Sequence, residues 1–301
     1  MKKGTLMVLA SYVLWGLLTI FWKLLADIDS FYVLCCRIVF SLAVSAALLP
    51  LTGGWAAAKA VLKDRKLLLR MLACGLLISF NWGVLIYCVS AGRVLDTSLA
   101  YYINPLLAIL LGFILFREKL TAAQWVSVII AAIGVAAPMV MAGQFPYLAL
   151  LCGLSFALYG AVKKKANVPG GISTFIETLL VAPIALAVAL VMELNAGPIS
   201  TGALSGWRLL LLPAAGAVTF LPVFLYSSGI PSTPMSLSGV LMYINPTLQL
   251  LCGLVLFNET MSSAMLVTFV CVWVATIIYL VSGAVQRKKA AGTAPAAEVE
   301  Q

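Results

Sequence analysis

Three charged side chains interrupt apolar stretches of this 301-residue chain: Lys23, Arg37 and Glu177. Each costs about 2.5–3.5 kcal/mol at the centre of a transmembrane helix, so a charge there needs a partner or a task. The Arg37 guanidinium can attract a carboxylate or another anionic group. Burial favours the neutral form of the Glu177 carboxyl and would let it exchange a proton near neutral pH. Arg37 is therefore a candidate anion contact, and Glu177 is a candidate for proton coupling.

Structural roles compete with these chemical ones. Lys23 lies near the end of its segment, where its ammonium group can reach water. Glu177 can bond to a neighbouring helix or to the basic cluster at 163–165. Arg37 can form a structural ion pair. The carboxylates available to it for such a pair are Asp27, Asp29 and Asp96.

A Tyr-Ile-Asn-Pro motif occurs twice, at 102–105 and 243–246. It opens two seventeen-residue segments, 102–118 and 243–259, that share ten identities at an offset of 141. Proline removes a backbone hydrogen bond from a helix, and in lipid the freed carbonyl group needs another partner. The motif therefore predicts a helix kink with a gating role, and direct substrate contact is the alternative; both can hold. The residues concerned are Tyr102, Asn104, Pro105, Tyr243, Asn245 and Pro246.

Aromatic side chains are further candidates for the wall of a cavity. Their faces suit amphipathic substrates and can hold cations, although aromatics also pack between helices and anchor at membrane interfaces. The candidates are Trp15, Trp82, Tyr101, Tyr102, Tyr159 and Tyr243.

The composition indicates which elements must position these residues. Apolar residues make up 63% of the chain and charged residues 10%, against about 45–50% and 25% in soluble domains. This excludes a soluble domain, a disordered chain and a nucleic-acid binder, despite the net charge of +9. Since a transmembrane helix needs about 20 apolar residues, the apolar runs predict ten spans. They cover roughly 4–25, 31–50, 69–91, 95–116, 122–141, 146–163, 172–192, 208–228, 234–257 and 263–283.

Missing residue types exclude several chemistries. The chain has no histidine, which removes HExxH zinc sites and Ser–His dyads. All four aspartates fall at predicted helix ends or in loops, so an intramembrane aspartyl protease is excluded as well. The seven cysteines lie in apolar stretches without a CxxC pair, which is typical of small buried hydrophobes. We therefore expect that the protein is not an enzyme and that it binds neither a metal nor a cofactor.

The basic residues orient the chain. Cytoplasmic loops are enriched in Lys and Arg, and most of the 19 basic residues fall on the side that holds both termini, the cluster at 163–165 included. Arg93 and Arg208 stay outside. The prediction is N-in and C-in, with 286–301 as a disordered cytoplasmic tail.

The repeat divides the chain into halves at 1–142 and 143–285, each with five predicted helices. Trp15-Gly16 is echoed by Tyr159-Gly160 at an offset of 144. Because five is odd, the second half must enter the membrane with the opposite sense, as in many secondary transporters. We therefore predict an all-α integral membrane protein whose ten transmembrane helices form two inverted five-helix repeats. The repeat also places Arg37 and Glu177 at opposite depths, so we do not expect them to pair.

With these motifs, the chain resembles the RarD branch of the EamA-type drug/metabolite transporter superfamily over about residues 1–285. The resemblance implies a ten-helix inner-membrane carrier and adds Asn81, beside Trp82, as a candidate substrate contact. Where the family usually has a histidine before the arginine of the second span, this chain has Cys36, which leaves open any role that histidine carries. Further matching positions are Lys23, Arg37, Asn104-Pro105, Glu118, Gln124-Trp125, Phe156, Tyr159-Gly160, Lys163, Glu177, Thr219, Pro222, Tyr243, Pro246, Glu259 and Trp273.

The sequence thus predicts a secondary transporter or exporter that works by alternating access in a bacterial plasma membrane. Relatives move amino acids, other metabolites or drugs, and the branch takes its name from a chloramphenicol phenotype. The expected partners are a small-molecule substrate and the lipid bilayer, without nucleic acid; proton coupling and a homodimer stay open. The alternatives are an uncoupled facilitator and a non-transporting membrane sensor or assembly subunit.

Overall fold

The computed structural model describes residues 3–52, 54–91, 94–142, 145–196, 210–256 and 263–292. Every regular element in these ranges is helical. The helices are α1 (Lys3–Lys23), α2 (Ser30–Thr52), α3 (Gly54–Lys63), α4 (Arg65–Ser90), α5 (Val94–Phe116), α6 (Ala122–Ala142), α7 (Tyr147–Ala166), α8 (Gly170–Ala196), α9 (Leu211–Gly229), α10 (Met235–Met242), α11 (Ile244–Leu256) and α12 (Ser263–Gly292), with a 3-10 turn at Ile230–Ser232.

The described helices confirm the predicted fold class of an all-α integral membrane protein. Nine of the helical segments in these ranges are long and apolar enough to cross a bilayer, with Met235–Leu256 counted as one segment. The remaining predicted span, 122–141, corresponds to α6, whose apolar stretch Ala122–Ala137 is shorter. The inverted relationship between the halves remains a prediction.

Helix α3 has no counterpart among the predicted spans. It buries Ala58 and Val61 and exposes Lys59 and Lys63, so only one face is apolar. Ten residues of such a helix are too few to cross a bilayer, which is why a search for long apolar runs passes over it. Gly54, at a φ of +78°, turns the chain between α2 and α3 in a conformation that other residues rarely adopt.

The two Tyr-Ile-Asn-Pro motifs differ in backbone structure. Helix α5 continues through Pro105, whereas the second motif is broken at Tyr243, between α10 and α11. Pro246 has no N–H to donate to the carbonyl group four residues earlier, at Met242, where α10 ends. The ninth predicted span is therefore a discontinuous helix, and the repeated sequence has two local structures.

The described helices form two compact units, Met1–Arg117 with Pro146–Thr260 and Glu118–Phe145 with Met261–Gln301. The first holds α1–α5 and α7–α11. The second holds α6 and α12, where the Thr268 hydroxyl donates to the Gly134 carbonyl group at 2.8 Å. The units differ from the sequence halves, because each unit takes helices from both halves.

Helix ends differ in places from the expected boundaries. Helix α7 runs past Lys163 to Ala166, and α12 extends to Gly292, into the segment assigned to the disordered tail. Thr121 and Gln124 form a capping box at the start of α6: the Thr121 N–H donates to Gln124 Oε1 at 2.9 Å, and the Gln124 N–H donates to Thr121 Oγ1 at 3.2 Å. Expectations for Arg93, Arg208, Glu259 and 293–301 lie outside the described residues.

Candidate functional site

A cavity of about 330 Å³, which we call the central cavity, lies within the first unit. Its volume falls in the range of ligand pockets, about 300–1,000 Å³. Ala26 and Ser30 line its mouth at the connection between α1 and α2 and are exposed, whereas Tyr12 and Phe156 line its deep end and are buried. Its polar lining residues include Thr19, Arg37, Asn81, Tyr101, Asn104, Thr219, Asn245 and Gln249.

Several candidates from the sequence line this cavity together. They come from separate helices, α1, α2, α4, α5 and α11, and they are Trp15, Arg37, Asn81, Trp82, Tyr101, Asn104 and Asn245. Other candidates are not part of its wall: Lys23, Tyr102, Pro105, Tyr159, Glu177, Tyr243 and Pro246. Lys23 is exposed at the end of α1.

The Arg37 guanidinium is held by aromatic rings. Its Cζ lies 3.9 Å from the centroid of the Trp82 ring and 5.3 Å from that of Trp22. Among the side chains that the structure describes, Arg37 forms no ion pair with a carboxylate, and its Nε has no hydrogen-bond partner. The expected pairs with Asp27 and Asp29 are therefore not formed, and the Asp96 side chain lies outside the described set. Cation–π contacts fix the guanidinium without using its N–H donors.

Amide groups on opposite sides of the cavity are engaged differently. Asn81 Nδ2 donates to the Cys152 carbonyl group at 2.8 Å, which ties α4 to α7. Asn245 Oδ1 accepts a hydrogen bond from Gln249 Nε2 at 2.6 Å. Asn104 Oδ1 is buried and has no hydrogen-bond partner among the described residues, so it is the acceptor of these three amides that a bound molecule could satisfy.

The two tyrosines of the repeated motif contact each other behind the cavity wall. The Tyr243 hydroxyl donates to the Tyr102 carbonyl group at 3.4 Å, and both side chains are buried. The Tyr102 hydroxyl has no hydrogen-bond partner. Gly239 lies close to this contact, because a Cβ there would come within 2.6 Å of the Pro105 carbonyl oxygen. These contacts hold α10 against α5, so the residues that make them contribute to helix packing.

An aromatic cluster continues from the deep end of the cavity into the bundle. The Trp15 and Phe156 rings pack edge-on with centroids 5.7 Å apart, and Tyr159 stacks on Tyr226 at 5.8 Å. The Tyr12 hydroxyl bonds the Ser238 hydroxyl at 2.8 Å, which joins α1 to α10. Tyr159 is fully buried in this cluster. Its predicted place on a cavity wall is thus taken by Phe156, one helix turn away.

Beyond the aromatic cluster lies a buried ion pair between Lys163 and Glu177. Lys163 Nζ is 2.6 Å from Glu177 Oε1, and the side chains are 2% and 4% exposed. Ser173 Oγ donates to the same oxygen at 2.7 Å, while the Tyr159 hydroxyl donates to Oε2 at 3.4 Å. Lys163 also donates to Ser173 Oγ at 3.1 Å and to Ser227 Oγ. The ion pair therefore joins α7, α8 and α9.

Comparison with known proteins identifies what kind of protein carries this site. The EamA-like transporter family matches residues 2–138. The uncharacterized transporter YojE of Bacillus subtilis is 39% identical over 285 residues, 93% of this chain and 94% of its own. Protein RarD of Escherichia coli is 30% identical over 285 residues, with 93% and 94% covered. This chain belongs to the RarD branch of the EamA-like transporter family.

A solved crystal structure shares the fold. It matches with a TM-score of 0.69 at 16% sequence identity and covers 93% of this chain and 97% of its own. Its family, whose named relatives are transporters, and the nine membrane-length helices of the described ranges make this RarD-branch chain a multi-pass membrane protein of a transporter family, which points to a transporter rather than an enzyme. A small-molecule substrate and a membrane environment follow from that assignment.

The structure of the RarD-branch transporter confirms one structural alternative for Glu177, a bond to the basic cluster at 163–165. The burial of Lys163 was not predicted, because it was counted with the cytoplasmic basic residues, whereas α7 carries it into the bundle, where it is 3% exposed. The spacing along the helix could have indicated this burial. Lys163 follows Tyr159 by four residues and Phe156 by seven, so the three side chains share one helix face. Trp22, which contacts Arg37, was also missed. Cys36 is buried and is not part of the cavity lining.

Proposed function

We propose that this protein moves a small amphipathic organic anion, such as a carboxylate-bearing metabolite, across a bacterial plasma membrane by alternating access. The observation that carries the proposal is Arg37, a cation in the cavity wall whose described contacts are aromatic. A cation inside a membrane protein needs a counter-charge. An anionic substrate supplies that charge, and the apolar rings around Arg37 suit its carbon skeleton.

The shape of the site supports alternating access. The cavity mouth lies where α1 joins α2, while the aromatic cluster and the Lys163–Glu177 pair occupy the bundle beyond its deep end. With the N-terminus in the cytoplasm, the mouth faces outward. Transport then requires the helices that meet at the ion pair to separate and the mouth to close. We also propose the N-in, C-in orientation on the distribution of basic residues.

The test is counterflow in proteoliposomes, which needs no imposed ion gradient. Labelled small carboxylates are compared with their amides and with chloramphenicol as a neutral amphipathic compound. We expect carboxylate accumulation to exceed that of the matching amide. Charged hydrogen bonds are worth about 1.5–3 kcal/mol, so Arg37→Gln should weaken carboxylate uptake by about tenfold to a hundredfold.

The control is Arg65→Gln, which removes an exposed arginine at the start of α4. It should leave counterflow unchanged. Equal uptake of acids and amides by the parent protein would contradict the anionic substrate. No accumulation of any compound by folded, inserted protein would count against transport of these classes altogether.

A further inference from the structure

A second, smaller cavity adjoins the central cavity within the first unit. Trp82 and Thr219 line both spaces. The smaller one has a volume of about 30 Å³, which exceeds the roughly 10–15 Å³ that a water molecule needs. We call it the Glu177 chamber. Its polar wall consists of Ser41, Ser79, Thr174, Glu177, Thr178 and Thr219.

Two hydroxyl groups of the chamber have unused hydrogen-bonding capacity. Thr174 and Thr219 are 1% and 4% exposed, and neither Oγ1 has a hydrogen-bond partner in the part of the chain that the structure describes. Ser41 and Thr178, in contrast, donate to carbonyl groups at 2.8 Å. Buried hydroxyl groups are rarely left unpaired, and water is the usual partner where the protein offers none. The unpaired hydroxyls lie at Thr219, shared with the central cavity, and at Thr174, three residues before Glu177 on α8.

The two oxygens of Glu177 are held unequally. Oε1 accepts from Lys163 at 2.6 Å and from Ser173 at 2.7 Å. Oε2 has only a long hydrogen bond of 3.4 Å from the Tyr159 hydroxyl among the described contacts. A carboxylate oxygen can accept two hydrogen bonds. Oε2 is therefore the oxygen with capacity left for a hydrogen bond from water or for a proton.

We propose that Glu177 exchanges protons with the central cavity through water held in the Glu177 chamber, with Thr219 at the entrance. A hydronium ion in the central cavity releases the proton and becomes water; the proton passes along the water and hydroxyl groups of the chamber and forms an O–H bond at Glu177 Oε2. Neutralising the carboxylate removes the charge attraction to Lys163, which keeps its hydroxyl partners Ser173 and Ser227. Proton uptake thereby loosens the junction of α7, α8 and α9.

The groups around Glu177 favour a proton over a metal cation. Lys163 and Tyr159 on α7 and Cys74 on α4 are the titratable groups that act on it. From α2 and α9 the neighbouring chamber residues are Ser41 and Thr219, which do not titrate in the physiological range. Because the Lys163 ammonium already balances the carboxylate, a second cation would meet repulsion.

The experiment follows the Glu177 carboxyl group itself, so it needs no transported substrate. The full-length protein in lipid bilayers is stepped between neutral and acidic pH, and time-resolved infrared absorption records the protonated-carboxyl band. We expect a band that is absent in Glu177→Gln. In Thr219→Val its rate of appearance should fall by at least about tenfold, in line with the usual worth of a positioned proton-transfer group.

Two further variants make the outcome decisive. Thr219→Ser keeps the hydroxyl group and should restore the rate. Thr276→Val removes another buried hydroxyl without a partner, on α12, and should match the parent protein. A parental rate in Thr219→Val, or no band that depends on Glu177, would overturn the inference. Proton exchange at Glu177 rests on the proposed function only for its effect on transport. A normal Glu177 band together with failed counterflow would therefore contradict the proposed function and leave the proton exchange intact.

Discussion

Asn104 and Asn245 occupy the same position in the repeated motif and line the same cavity, but among the described residues only Asn245 has a side-chain hydrogen-bond partner there. Its Oδ1 accepts from Gln249 at 2.6 Å, whereas Asn104 Oδ1 has no partner. The difference follows from the residue four positions later, which is Gln249 in the second motif and Ala108 in the first. Asn245 thus bonds within its own helix, whereas the Asn104 acceptor is available to a substrate.

Alanine at the two asparagine positions should separate binding from stability. Asn104→Ala removes an acceptor without stranding a protein donor, so we expect the substrate KM in counterflow to rise about tenfold or less, the value of one hydrogen bond. Asn245→Ala removes the hydrogen bond that Gln249 Nε2 donates to Asn245 Oδ1 and should lower the thermal unfolding midpoint. A larger loss of stability in Asn104→Ala than in Asn245→Ala would contradict this assignment.

Breaking the buried ion pair should cost more than removing it. Lys163→Met leaves the Glu177 carboxylate buried without its cation, and the loss of a partner from such a pair costs about 3–5 kcal/mol. Lys163→Met with Glu177→Leu removes both charges and should recover most of that stability. Thermal unfolding in lipid nanodiscs measures the difference. A double variant that is no more stable than the single one would show that other contacts dominate this junction.

Gly16 allows α1 and α11 to approach closely. A Cβ at Gly16 would lie 2.7 Å from Leu248 Cβ and 3.0 Å from the Asn245 carbonyl oxygen. Gly16→Ala should therefore destabilise the protein by about 1–3 kcal/mol, the usual cost of overpacking, and reduce counterflow by displacing Asn245. Gly83→Ala is the matched control, because a Cβ there meets nothing within 4 Å. Equal effects of the two substitutions would remove the packing explanation.

Cysteine labelling can test the orientation of the chain. Lys59 on α3 and Asp27 between α1 and α2 are both exposed. In the N-in orientation, Lys59→Cys should react with a membrane-impermeant thiol reagent only in inside-out vesicles, and Asp27→Cys only in right-side-out vesicles. The background should be low because six of the seven native cysteines are buried. The reverse labelling pattern would invert the orientation and place the cavity mouth in the cytoplasm.

Much of the candidate site was predictable because polar residues are conspicuous in apolar sequence. Arg37, Asn81, Asn104 and Asn245 interrupt hydrophobic runs, where each carries a cost that folding must offset. The structure places all four in the wall of one cavity. The sequence named the 163–165 cluster as a possible partner of Glu177, but it did not show that Lys163 itself is buried, because the first residue of a lysine run at a helix end resembles part of a solvated surface.

The sequence by itself determined the membrane class, the approximate positions of the helices and the repeated motif, since these depend on composition, run length and local identity. Only the tertiary structure decided which way each side chain faces. Tyr101 lines the cavity, but the side chain of its neighbour Tyr102 is buried outside the cavity wall. One residue turns a helix by about 100°, and in a helix that is apolar all round no hydrophobic stripe reveals the inner face. Which neighbouring helix meets each face is settled by packing, and for Glu177 that packing supplied Lys163 as its partner.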